Sequence, residues 1–131
     1  MPEQLQVTVI LPVRAERLYN AWLNSEEHAA FTGASAEITP SVGGEFSAWD
    51  GYIRGKTLLL EPFQRIVQSW RTSDFPSNAP DSQLEILFEA DGEQTHLTLN
   101  HTNIPDGQGP EYRQGWLDYY FEPMQAYFSA H

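Results

Sequence analysis

Between Glu111 and Phe128 the large apolar side chains Trp116, Leu117, Tyr120, Phe121, Met124, Tyr127 and Phe128 recur at three- and four-residue steps. That spacing places them on one broad face of a long helix. Pro123 lies inside the segment. It has no N–H to give Tyr119, so the helix either bends there or ends near Tyr120. A helix with so wide an aromatic face needs a large apolar partner, and the preceding residues offer a sheet.

Gln6 to Leu11 alternates and is β-branched, a strand that stops at Pro12. Leu18, Tyr19, Trp22 and Leu23 then mark one face of a helix. Ser25 is the expected N-cap of a second short helix, with Glu26 and Glu27 favouring its dipole and Gly33 ending it. Six strand signals follow: Ala36 to Thr39, Glu45 to Trp49, Tyr52 to Glu61, Arg65 to Thr72, Leu84 to Ala90 and Thr95 to Thr102. Asp50-Gly51 and Asp91-Gly92 read as tight hairpin turns, and Pro62-Phe63 turns the chain between its neighbours. Ser73 to Ser82 and Asn103 to Pro110 are proline-containing loops.

The order β-α-α-β-β-β-β-β-β-α predicts an α+β fold of the helix-grip type. An antiparallel curved sheet wraps the C-terminal helix, two short helices follow the first strand, and residues 1–131 form a single domain. A chain of this length buries roughly two-thirds of the surface it exposes when unfolded, so its core needs no staple.

The charge balance narrows the partners. Eighteen acidic residues face seven basic ones, a net charge of −11, and Lys56 is the only lysine. Such a surface repels phosphate backbones and anionic lipid, so neither nucleic acid nor membrane is an expected partner. No signal peptide and no apolar run of membrane-spanning length is expected. There is no cysteine, which removes disulfides, thiolate metal sites and cysteine nucleophiles and suits a reducing cytoplasm.

Several stretches also carry a family resemblance. Val42-Gly43-Gly44-Glu45-Phe46, Asp50-Gly51, Gly55, Pro62, Arg65-Ile66-Val67 and Trp70 belong to it. So do Leu97-Thr98-Leu99-Asn100-His101, Arg113-Gln114-Gly115-Trp116 and Tyr119-Tyr120-Phe121-Glu122. Together they resemble the family of activator of heat shock protein 90 ATPase homologues, from about Val7 to Phe128. The likeness is to the C-terminal domain of the eukaryotic co-chaperone and to single-domain bacterial relatives. It implies a START-like (Bet v-like) fold, a cavity that takes hydrophobic ligands, and a chaperone as a second kind of partner.

The chemistry legible in the residues is sparse. No Gly-x-Ser-x-Gly elbow, phosphate loop or paired carboxylates stand out, and no cofactor is expected. His101 is in phase with Leu97 and Leu99 and points inward. It is expected as a core histidine tied to a neighbour, with ligand contact or acid–base work as the alternative. His96 faces the other way, and three or four converging ligands for zinc are not available. Arg71 and Glu85 are placed to pair across adjacent strands.

Four Trp, six Tyr and seven Phe are the peculiarity of the composition. The expected cavity lining is Phe46, Trp70, Phe88, Leu99 and His101 from the sheet, with Trp116, Tyr120, Phe121 and Met124 from the helix. The expected function is non-catalytic binding of a small hydrophobic ligand. A co-chaperone-like interaction is the alternative, and a cyclase- or dehydratase-type enzyme ranks last because a fold does not license a reaction.

Overall fold

The computed structural model describes residues 2–130. Nine of its elements precede the final helix. These are β1 (Glu3–Leu11), α1 (Ala15–Leu23), α2 (Ser25–Thr32), β2 (Glu37–Ile38), β3 (Glu45–Ala48), β4 (Ile53–Glu61), β5 (Arg65–Thr72), β6 (Ser82–Asp91) and β7 (Gln94–Ile104). The final helix follows as α3 (Gly109–Gly115), a π-helical turn (Trp116–Phe121) and α4 (Glu122–Ala130). The strands form one seven-stranded sheet in the order β1-β7-β6-β5-β4-β3-β2, antiparallel at every pairing. The α+β helix-grip fold is therefore as expected.

Helices α1 and α2 carry the chain from one edge of the sheet to the other. The cap between them differs from expectation. Asn24, not Ser25, is the N-cap of α2, and its Oδ1 accepts from the Glu27 N–H at 2.9 Å. An amide side chain one residue earlier reaches the free N–H just as well. Ser25 is thereby freed to hold β2, accepting from the Ile38 N–H at 2.8 Å. Gly33 ends α2 at φ 81°, as its lack of a Cβ permits.

Both hairpins also differ in detail. Ala48 pairs with Ile53, so the β3–β4 connection is a four-residue turn, Trp49 to Tyr52, not a two-residue one. Trp49, Asp50 and Gly51 all take positive φ there. Asp50 stabilises the turn by accepting the Ser35 N–H at 2.9 Å. Asp91 pairs with Gln94, which moves the second turn one residue along to Gly92-Glu93. The ion pairing is corrected as well. Arg65, not Arg71, bonds Glu85 at 2.7 Å, because Val67 stands opposite Glu85 and Arg71 lies past the end of that pairing. Arg71 instead bonds Asp81 at 2.8 Å.

The concave face of the sheet is continuous with the helices in a single apolar core. Leu84, Ile86, Leu97 and Leu99 of β6 and β7 are fully buried, as are Leu11, Leu18 and Met124. A bulge between Thr57 and Leu59 bends β4. Gly55 in the same strand stands opposite Phe46, and a Cβ there would lie 1.8 Å from the Ser69 carbonyl oxygen and 2.8 Å from the Phe46 ring. The Phe46 ring thus fills the space a side chain at residue 55 would need.

The last segment is one helical run from 109 to 130 and does not end at Tyr120. Pro123 has instead been accommodated by a wider turn. The Glu122 N–H bonds the Leu117 carbonyl, a five-residue step, immediately before the residue that has no N–H. The helix also reaches the free edge of β1. Arg113 donates to the Gln6 carbonyl at 2.9 Å and Gln125 to the Ile10 carbonyl at 3.2 Å.

Candidate functional site

A cleft of about 330 Å³ opens between the final helix and the β3–β4 end of the sheet. Trp49 and Tyr52 contribute from the turn, Ile53 from β4 and Trp70 from β5. The helix adds Tyr112, Gly115, Trp116, Tyr119 and Tyr120, with Glu111 at the rim. Trp116 sits 5.6 Å from Trp70 and 4.8 Å from Tyr120, ring centre to ring centre. Tyr119, 60 % exposed, packs edge-on against Trp49 at 5.6 Å across the mouth. The space is thus a cleft open to solvent rather than an enclosed cavity. Gly115 keeps it open: a Cβ there would meet only the Tyr119 ring, at 3.9 Å.

Of the nine expected lining residues, the structure brings Trp70, Trp116 and Tyr120 to this cleft. Phe88, Leu99, His101, Phe121 and Met124 are buried in the core and do not line it. Phe46 lies over Gly55, buried in the core, and does not line the cleft either. Trp49, Tyr52, Tyr112 and Tyr119 were not anticipated as lining. Trp49 and Tyr52 flank Asp50-Gly51, and two aromatics bracketing a turn were a readable signal. Tyr112 lies one helical turn before Trp116, on the same face.

His101 is a core histidine. The Trp116 indole N–H donates to its Nδ1 at 3.2 Å, so the ring's proton is on Nε2. That N–H donates to Ser82 Oγ at 2.8 Å, and the Ser82 hydroxyl donates to the Trp70 carbonyl at 2.6 Å. Burial lowers its pKa to about 3. Every polar atom in this relay is engaged, leaving it nothing to offer a substrate.

His28 anchors a second relay, which sequence reading missed because nothing local links residue 28 to residue 120. Its Nδ1 lies 3.0 Å from the Trp22 carbonyl, which can only accept, so Nδ1 carries the proton. Nε2 is then an acceptor, and the Tyr120 hydroxyl donates to it at 2.8 Å. Burial holds His28 near a pKa of about 4, against a smaller upward push from the Trp22 carbonyl. Burial pushes the Tyr120 hydroxyl up, opposed by the adjacent Trp49 indole.

Two further tyrosine tips at the cleft are occupied too. Tyr52 donates to Asp74 at 2.5 Å, and Tyr112 donates to Gln108 at 2.7 Å while bonded to Thr72. Among the described residues no cluster of three or more His, Asp or Glu side chains could hold a metal. No helix among them is long and apolar enough to cross a membrane. What the cleft can do is enclose an apolar group among aromatic rings.

An antiparallel sheet gripping a long helix, with an aromatic cleft between them, defines a helix-grip domain of the START-like, Bet v-like class. The family model described as "Activator of Hsp90 ATPase homolog 1-like protein" matches residues 12–129, and the chain belongs to that family. A human relative, "Activator of 90 kDa heat shock protein ATPase homolog 1", is 33% identical over 113 residues, covering 86% of this chain and 33% of the relative. A Dictyostelium discoideum homologue is 30% identical over 85% of this chain and 29% of its own length. The chain thus spans about a third of the curated relatives it matches. Among solved structures, an HSP90 activator from Plasmodium falciparum superposes with TM-score 0.87 at 24% identity, covering 96% of each chain. The Aha1 dimer from Colwellia psychrerythraea does so with TM-score 0.78 at 12% identity, again over 96% of each. These two likenesses speak to the fold.

Proposed function

We propose that this chain is a non-catalytic helix-grip domain that binds a small hydrophobic ligand between its sheet and its final helix. The observation that carries the reading is the aromatic cleft of about 330 Å³, within the range of small-molecule sites. Trp70, Trp116 and Tyr120 are the contacts foreseen in the sequence, joined by Trp49, Tyr52, Tyr112 and Tyr119. A protein without cysteine and with net charge −11 fits work in a reducing cytoplasm, away from nucleic acid and anionic membranes.

The test is titration with a neutral fluorescent apolar probe, N-phenyl-1-naphthylamine. Saturable enhancement is expected for the wild type and its loss for Gly115→Leu, whose side chain fills the cleft, with the far-UV circular dichroism unchanged. Absence of saturable binding to the wild type would sink the reading.

A second reading is a co-chaperone-like contact with a chaperone of the Hsp90 class, favoured by the likeness to the human and Plasmodium falciparum Hsp90 activators. Adding the domain to such a chaperone would raise its ATPase rate. A flat titration without binding ends that idea. An enzymatic role has the least support, because both buried histidines are held neutral in closed relays.

A further inference from the structure

The polar atoms on the cleft wall are already engaged. The Trp116 indole N–H is spent on His101, the Tyr120 hydroxyl on His28, the Tyr112 hydroxyl on Gln108 and Thr72, and the Tyr52 hydroxyl on Asp74. Trp49 Nε1 is sealed from solvent. Most of the wall is Trp and Tyr, so an occupant meets ring surface and little that donates or accepts. The charge around the rings has one sign. No Lys, Arg or His lines the cleft among the described residues, and Glu111 stands at its rim. A second carboxylate, Asp74, accepts from the Tyr52 hydroxyl at 2.5 Å. Burial is the main cause that raises the Tyr112 pKa, and the Glu111 and Asp74 charges add to it. Both carboxylates are therefore close enough to act on the cleft wall.

Rings and carboxylates favour the same kind of occupant. An aromatic face carries partial negative charge. An anion would meet that charge and two carboxylates with no counter-ion, while a neutral apolar group gains from contact alone. A cation is drawn by the rings and by the carboxylates together. A primary ammonium brings three N–H donors, which the engaged wall leaves without acceptors. A quaternary ammonium has no N–H, and its methyl groups suit an apolar wall. We propose that the ligand of the cleft is a small hydrophobic molecule with a quaternary ammonium head, held against the Tyr52 and Tyr112 rings beside Asp74 and Glu111. The proposal rests on the cleft-binding reading above and names its ligand class.

The test uses phenyltrimethylammonium, tert-butylbenzene and benzenesulfonate, which share a phenyl ring and a tetrahedral head and differ in being cationic, neutral and anionic. Each displaces N-phenyl-1-naphthylamine from the wild-type protein at neutral pH, and the fall in fluorescence gives its affinity. The cation is expected to bind about five- to tenfold more tightly than tert-butylbenzene, the scale of a partly desolvated cation–π contact. Benzenesulfonate should bind most weakly. Glu111→Gln combined with Asp74→Asn changes charge but not shape at two exposed positions. The double variant should lower the cation's affinity about threefold and leave that of tert-butylbenzene unchanged. If tert-butylbenzene binds as tightly as the cation, or if none of the three displaces a bound probe, the cationic class is overturned and the cleft reading stands. Benzenesulfonate matching the cation would overturn it as well. An unchanged cation affinity in the double variant would remove the carboxylates from the site. Failure of the probe itself to bind overturns the cleft reading.

Discussion

His28 and His101 are the two residues in which burial and charge conflict most sharply. Both are almost fully buried and held neutral, with pKa lowered by burial to about 4 and about 3. In the unfolded chain each returns to about 6.5. As the pH falls below that value the unfolded state takes up protons that the folded state refuses, so stability drops between about pH 6.5 and about pH 4. The expected loss at about pH 5 is on the order of 2 kcal/mol per histidine. Urea titrations at pH values above and below that window would measure it. A flat midpoint from neutral to mildly acid pH would mean that the rings reach water. His101 could be read from its phase with Leu97 and Leu99 on a strand. His28 could not, since its partner Tyr120 is joined to it only by the tertiary fold, and the sequence pattern says nothing about contacts across that distance.

At the level of elements, the π turn does more than accommodate Pro123. An α-helix advances about 100° per residue. The eight residues from Trp116 to Met124 would then leave the two side chains about 80° apart. A π turn absorbs one extra residue, which brings that offset to about 20° in the other direction. Both are buried, as are Tyr112 and Phe128 in the outer halves of the helix, so one insertion keeps both halves facing the sheet. Leu117 and Tyr119, turned outward, are 38 % and 60 % exposed. Deleting the exposed Asp118 should therefore convert the turn to regular α-helix while the fold survives. Inserting an alanine after Asp118 should rotate one half by about 100° and abolish cooperative unfolding. Thermal melts of the two variants would decide it, and equal damage from both would contradict the phase argument. The sequence announced a disturbance at Pro123 and an aromatic face. It did not reveal how the disturbance would resolve, because that depends on burying both halves at once. The cleft was partly legible for the same reason: Trp116 and Tyr120 follow from helical spacing, whereas Trp49 and Tyr52 depend on the shape of a four-residue turn.

For the whole molecule, net charge sets the response to salt. The described ion pairs are few, Arg65–Glu85 and Arg71–Asp81 being the tightest. The excess of 18 acidic over 7 basic residues is spread over a small surface, where like charges repel. Raising NaCl from about 20 mM to about 500 mM shortens the screening length several-fold. The melting temperature should rise by about 3–5 °C, since relief of repulsion outweighs weakening of surface pairs worth little each. A fall in scanning calorimetry would show that the pairs dominate instead. The seven-stranded sheet is not closed, and β1 presents a nine-residue outer edge. An edge of that length could recruit an extended segment from a second molecule and start aggregation. Arg113 and Gln125 already hold the Gln6 and Ile10 carbonyls on that strand. The helix that forms one wall of the cleft is thus also a guard against self-templating: an incoming strand would have to displace two side-chain donors before it could register its own.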